Sequence, residues 1–183
     1  MKPSIDDVRA LGEVHSLYRW NMYFITFPSA VAAPPTREEM NRRCATTTRP
    51  KVTFNDTLVN MRGHTVEQQG KMTYERRITL QMLETVDVKV AQFLSDWRQA
   101  AWQDGTGVSA NKKDLEASIK LELLDNQDNP TWEYVLTGVI LKDMTLMQLL
   151  EESDEIDRPE IILGYDFYRD GPPNTVTGSN IIA

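Results

Sequence analysis

The chain has 183 residues, 40% hydrophobic and 26% charged, with nine Gly and nine Pro, the composition of one ordinary globular domain rather than of a disordered, collagenous or coiled-coil chain. Twenty basic against 27 acidic residues leave a net charge of −7, which excludes a protein that grips nucleic acid with its whole surface, because phosphate binding draws on Lys and Arg to displace counterions. One cysteine, Cys44, and two histidines, His15 and His64, exclude an internal disulfide and a thiolate zinc centre.

The N-terminal stretch "MKPSIDDVRALGEVHSLYRW" has no apolar core of signal-peptide length, and no run is long enough to span a bilayer, so a soluble protein folded in a reducing cytoplasm is expected. Residues 1–17 read as an arm. "YRWNMYFITFP" (Tyr18–Pro28) is aromatic and β-branched up to a proline, as a strand covered on two faces would be. "SAVAAPPTREEMNRR" reads as a loop with one helical turn at Arg37–Arg42, and "CATTT" (Cys44–Thr48) as a short strand.

"LVNMRGHTVEQQGKMTYERRITLQML" predicts two strands around a turn at Gln69-Gly70-Lys71, with Gly63 marking a bulge in the first. In the returning strand Tyr74, Ile78, Leu80 and Met82 share one face with Arg76, and Thr73, Glu75, Arg77, Thr79 and Gln81 share the other. At Asp87 the period changes to that of a helix, with Val90, Phe93, Leu94, Trp97, Ala100 and Ala101 on one side. Asp87 is the expected N-cap region and Asp104-Gly105 the expected stop.

Alternation then returns. "EASIKLELLD" (Glu116–Asp125) turns Ala117, Ile119, Leu121 and Leu123 inward; "NQDNP" is a turn; "TWEYVLTGVIL" (Thr131–Leu141) places Trp132, Tyr134, Leu136 and Ile140 on one side. A last strand, "PEIILGYDFYR" (Pro159–Arg169), precedes a polar extension, residues 171–183, read as flexible or docked. Residues 18–170 thus form one all-β domain, a sandwich or barrel of six to seven mostly antiparallel strands with one flanking helix.

Chemical motifs are scarce. "DGTG" (Asp104–Gly107) is a helix stop rather than a phosphate loop, the histidines are 49 positions apart, and "DNQDN" (Asp125–Asn129) lacks the glycine and distal Glu of a calcium loop. Cys44 sits in a threonine-rich strand with nothing to activate it. No catalytic, cofactor-binding or metal-binding residues are assigned, and no enzyme activity is expected. Charge is unevenly spread: Asp143–Asp157 carries six acids and no base, and Arg37–Lys51 five bases and two acids. Opposite potentials of this kind can fix register between copies of a chain.

Four pieces, in order, resemble the tail tube protein of contractile-tailed bacteriophages, a relative in fold of type VI secretion tube proteins: "CATTTRP", "NMRGHTVEQQGKMTYERRITLQML", "VAQFLSDWRQAAWQDGTG" and "IILGYDFY". The resemblance spans Tyr18–Arg169 and departs from the family in the arm, in "PSAVAAPPTREE" and after Asp170. It implies a structural virion protein forming hexameric rings that stack head to tail into a hollow tail tube, partnered by itself, the tail sheath and the baseplate. DNA passes through without specific binding and no membrane is involved; assembly takes place in the host cytoplasm. On that reading Arg42, Arg43, Arg49 and Lys51 against Glu151, Glu152, Asp154 and Glu155 are the ring-stacking candidates. Thr79, Gln81, Glu122, Glu133 and Thr137, taken as solvent-facing, are the lumen candidates, and Phe93, Leu94, Trp97 and Ala101 the helix core. Two alternatives stand beside it: a baseplate or terminal ring of the same fold, and a small ligand-binding β-barrel, whose interior Trp20, Trp97, Trp132, Tyr134 and Phe167 would fill.

Overall fold

The computed structural model describes residues 19–145 and 156–173. Among them are nine strands, β1 (Trp20–Thr26), β2 (Cys44–Thr47), β3 (Val52–Met61), β4 (His64–Tyr74), β5 (Arg77–Met82), β6 (Ala117–Leu124), β7 (Pro130–Thr145), β8 (Glu160–Gly164) and β9 (Phe167–Gly171). Three helices accompany them, α1 (Arg37–Arg43), α2 (Lys89–Ala101) and α3 (Lys112–Leu115). Seven strands make one sheet in the order β1-β6-β7-β8-β5-β2, with β9 also paired to β7, and β3-β4 stand apart as a two-stranded ribbon. Every ladder is antiparallel.

The sheet curls because β7 is long enough to serve two neighbours on one side. Its first half pairs with β9 and its second with β8. The single closing strand expected over Pro159–Arg169 is therefore two, interrupted at Tyr165-Asp166 opposite a bulge of β7 at Gly138. That bulge also corrects the expected core face. Before it Leu136 is buried, as expected; after it Val139 takes the core position and Ile140 is left half-buried. A second register shift, between Leu123 and Leu124, buries Leu124 in place of Leu123. A bulge inserts one residue and so exchanges the faces of everything beyond it.

The aromatic first strand starts at Trp20 and buries Met22 and Phe24 completely, while its other face is only half-covered. Its outer edge is closed by α1, a full two-turn helix rather than one turn. Thr36 and Glu39 form a reciprocal capping box at its start, Glu39 N–H donating to Thr36 Oγ1 at 3.2 Å and Thr36 N–H to Glu39 Oε2 at 3.0 Å. Asn41 then accepts the Met22 amide at 3.0 Å and Arg37 donates to the Ile25 carbonyl. An edge strand covered in this way has no free ladder to offer.

Helix α2 plugs the curled sheet. Val90, Phe93, Leu94 and Trp97 are buried, whereas Ala101 is half-buried. Phe24, Phe27, Phe93 and Trp97 form one aromatic cluster with ring centroids 4.8–6.5 Å apart, and the Trp97 indole donates to the Leu115 carbonyl at 2.9 Å. The expected caps are displaced at both ends. Asp87 does not cap the helix; the Val88 backbone turns left-handed, and the Glu84 carboxylate accepts from Val90 and Ala91 N–H at 3.4 and 2.7 Å. At the other end the helix stops at Ala101, before Asp104-Gly105.

The β3–β4 ribbon exchanges the roles expected of its two glycines. The turn is Arg62-Gly63, both residues at positive φ (48° and 85°), as a two-residue hairpin turn requires. Gly70 lies inside β4, at the bulge opposite Asn55, where an added Cβ would stand 2.5 Å from the Asn55 carbonyl oxygen. Local composition marks both as breaks, and only the pairing partner tells turn from bulge. The expected single returning strand also divides at Glu75-Arg76 into exposed β4 and half-buried β5. No described helix is long and apolar enough to cross a membrane.

Candidate assembly surfaces

Three surfaces stand out, and each begins with side chains that the core leaves over. The first is the ribbon itself. Phe54, Leu58, Met61, Val66, Met72 and Tyr74 are all at least 40% exposed. Register assigns Val52, Phe54, Met72 and Tyr74 to one face near the base, and Val59, Met61 and Val66 to the opposite face near the tip. Its described ring contact to the body is Tyr74 against Tyr168, centroids 5.9 Å apart. Two exposed strands carrying this much apolar surface do not stand alone in water at no cost.

The second surface is the side of the sheet turned away from the core. Ile78, Leu80 and Met82 point inward from β5, and Ile119 and Leu121 from β6, so alternation sends Thr79, Gln81, Glu122, Glu133 and Thr137 to the outer side. All five lie on that side, but none is freely solvated. Gln81 accepts from Thr46 Oγ1 at 3.1 Å and donates to Glu160 at 3.4 Å, the Thr79 amide donates to Thr48 Oγ1 at 2.8 Å, and Thr137 Oγ1 reaches the Phe167 carbonyl at 3.5 Å. Glu133 corrects the expectation of a solvent-facing residue, being only 5% exposed. Lys120 is the reason: its ammonium lies 2.7 Å from Glu133 and 2.8 Å from Glu122, whose other contact is the Tyr23 hydroxyl at 2.9 Å. Burial presses the Lys120 ammonium downward, but hydrogen bonds to Glu122, Glu133 and Tyr23 outweigh it and hold the lysine charged, above its ordinary value. Burial, then the Glu122 carboxylate, raises the Tyr23 phenol.

The third is the basic segment around α1 and β2. Arg42 and Arg49 are exposed, and Lys51 makes a loose, exposed pair with Glu75 at 3.6 Å. Arg43 is different. Its side chain is 13% exposed and bridges Glu84 at 3.4 Å and Asp87 at 2.8 Å, so it ties α1 to the start of α2 within the chain. The acidic candidates Glu151, Glu152, Asp154 and Glu155 lie outside the described residues. Asp87 is held down to about 2 by a hydrogen bond from Thr85 and by Arg43, and Glu39 likewise to about 2 by Lys89 and the Thr36 backbone.

Cys44, by contrast, is pushed up to about 12 by burial, far from a nucleophile's range. Among the described residues no group of His, Cys, Asp and Glu is arranged to hold a metal ion. Helical periodicity could not show the Glu84 cap, because Glu84 lies outside the helix, and strand alternation could not show the Lys120–Glu133 pair, because it joins two strands brought together only by folding.

The sequence matches no family model and no curated protein. Solved structures do match, along nearly the whole chain. A chain of the sheath–tube complex of PVC, an extracellular contractile injection system in its extended state, is 13% identical at a TM-score of 0.57, over 93% of this chain and 99% of that one. A chain in the baseplate of the anti-feeding prophage matches at 0.60 with 13% identity, over 88% and 97%. A chain in that prophage's tube-terminating cap matches at 0.59 with 12% identity, over 87% and 92%. The fold is tail-tube-like. At such identities the shared property is the fold, and this antiparallel β domain with its plugging helix shares it with chains of contractile injection assemblies.

Proposed function

We propose that the chain is a structural subunit of the inner tube of a contractile injection machine, assembling into hexameric rings that stack head to tail within a sheath and above a baseplate. The observation that carries this reading is the two-way coverage, 93% of this chain on 99% of a chain from a sheath–tube complex.

The local geometry supports it. The edges of β2 and β9 each lack a second neighbour in the described sheet, and ring formation covers edges of this kind by pairing them with the next subunit. The ribbon, with apolar side chains exposed on both faces, supplies a reach between subunits. A net charge of −7 suits a conduit through which DNA, as in a bacteriophage tail, slides without being held. Matches to baseplate and cap chains favour one second reading, a terminal ring of the same fold.

Electron microscopy of the purified full chain tests both. Rings of six subunits that stack into tubes are the expected result. Isolated rings that never stack favour the terminal ring, and a monomer at every concentration overturns the proposal.

A further inference from the structure

A cleft of about 400 Å³ opens beneath the base of the ribbon, where Arg76, Arg77 and Lys142 line it together with Tyr74, Ile140 and Tyr165. Tyr165 is 4% exposed, and its hydroxyl has no hydrogen-bond partner among the described residues. Burial raises its phenol. A buried hydroxyl without a partner is costly and uncommon.

The surrounding charge is lopsided. Glu75 pairs with Lys51 and the rim carboxylate Asp166 pairs with Lys112. Arg76, Arg77 and Lys142 form no salt bridge among the described residues. The Lys142 stem lies flat over Gly164, where even an added Cβ would stand 2.7 Å from Lys142 Cε. Three cations therefore line one opening in a chain whose net charge is −7, and the two carboxylates that line it with them, Glu75 and Asp166, are each engaged by a lysine.

We infer that this cleft binds carboxylates, and that its occupant is an acidic peptide segment of a second copy of the chain. Two observations choose a peptide over a lone inorganic anion. The cations are spread along a cleft that also has apolar walls at Tyr74 and Ile140, and the chain carries six acids and no base from Asp143 to Asp157, with Leu150 and Ile156 among them. Thr145 and Glu160 pair at one end of the β7–β8 ladder, while Ile140 and Gly164, which line the cleft, pair at the other. Head-to-tail contact brings opposite ends of successive copies together, so this inference rests on the ring reading. It also moves the cationic half of the contact from Arg42, Arg43, Arg49 and Lys51 to Arg76, Arg77 and Lys142.

The test is fluorescence anisotropy of a labelled peptide with the sequence of residues 150–157, titrated with the dilute full chain. Saturable binding is expected, weakened about tenfold by Arg76→Gln or Arg77→Gln, since each removes a charge-assisted contact. Lys142→Gln is expected to weaken binding about tenfold as well, while leaving Tm within a few degrees of the parent, because Lys142 is exposed and forms no salt bridge among the described residues. Absence of peptide binding, binding indifferent to all three substitutions, or binding of inorganic phosphate alone overturns the assignment. Rings seen by microscopy without peptide binding sink the cleft and spare the ring reading; peptide binding by a chain that never forms rings does the reverse.

Discussion

Lys120 shows how one side chain on the outer sheet face organises its neighbours. It is the shared partner of Glu122 and Glu133, whose side chains are only 13% and 6% exposed, so Lys120→Met leaves two carboxylates in a poorly solvated site. A loss of about 3 kcal/mol in urea unfolding is expected, with Lys120→Arg retaining most of the stability. Cys44 makes a second residue-scale prediction. With its thiol near 12, a disulfide reagent at neutral pH should label the folded chain at least ~10-fold more slowly than the urea-unfolded chain, and equal rates would contradict the burial. The carboxylates on the helix junction add a pH dependence. Asp87 and Glu39 are held near 2 in the folded chain, below the ordinary carboxylate range, so their contribution is complete above that range and is lost as pH falls from roughly 5 towards 2. Melting temperature should drop over that interval, and less steeply in Asp87→Asn.

At the scale of elements, α2 and the ribbon sit at opposite ends of stability. Trp97 packs on Phe24 and Phe93 and donates to Leu115, so Trp97→Ala is expected to cost about 3–5 kcal/mol by leaving a cavity that the sheet cannot close. Periodicity made this face legible: Val90, Phe93, Leu94 and Trp97 recur at helical spacing because a helix over a sheet has only one side to bury. The helix ends were not legible, since the N-terminal amides are met by Glu84, which reaches over from the end of β5 rather than from the helix sequence. In the ribbon, Gly63 and Gly70 are both plain in the sequence as breaks, yet which one turns the chain depends on which residues end up opposite each other. Gly63→Ala is expected to destabilise the ribbon by about 1–2 kcal/mol, through its left-handed φ, with a smaller effect on the melting of the body.

For the whole molecule the decisive question is what is dispensable for folding and what for assembly. The ribbon forms its own sheet, and its described ring contact to the body is Tyr74 with Tyr168. Replacing residues 55–71 with an Asn-Gly turn should therefore leave Tm within a few degrees of the parent and abolish ring stacking, as followed by sedimentation velocity and microscopy. A variant that still forms tubes would place the assembly contacts elsewhere on the sheet.

The all-β class, the amphipathic helix with its buried face and the likeness in fold to tail tube proteins were readable from the amino-acid sequence, because period-two and helical repeats record which side of each element faces a core. What only the tertiary structure decided are the points at which that record is broken or silent. Bulges at Gly138 and Leu123/Leu124 exchange faces without changing composition. Lys120 reaches Glu133 across two strands, and Arg43 reaches Asp87 across 44 residues. Arg76, Arg77 and Lys142 come from a loop and two strands, and only folding gathers them around one cleft. Local pattern encodes burial one element at a time, whereas a charge pair or a cleft is a property of segments brought together, and its energy exists only once the chain has closed around it.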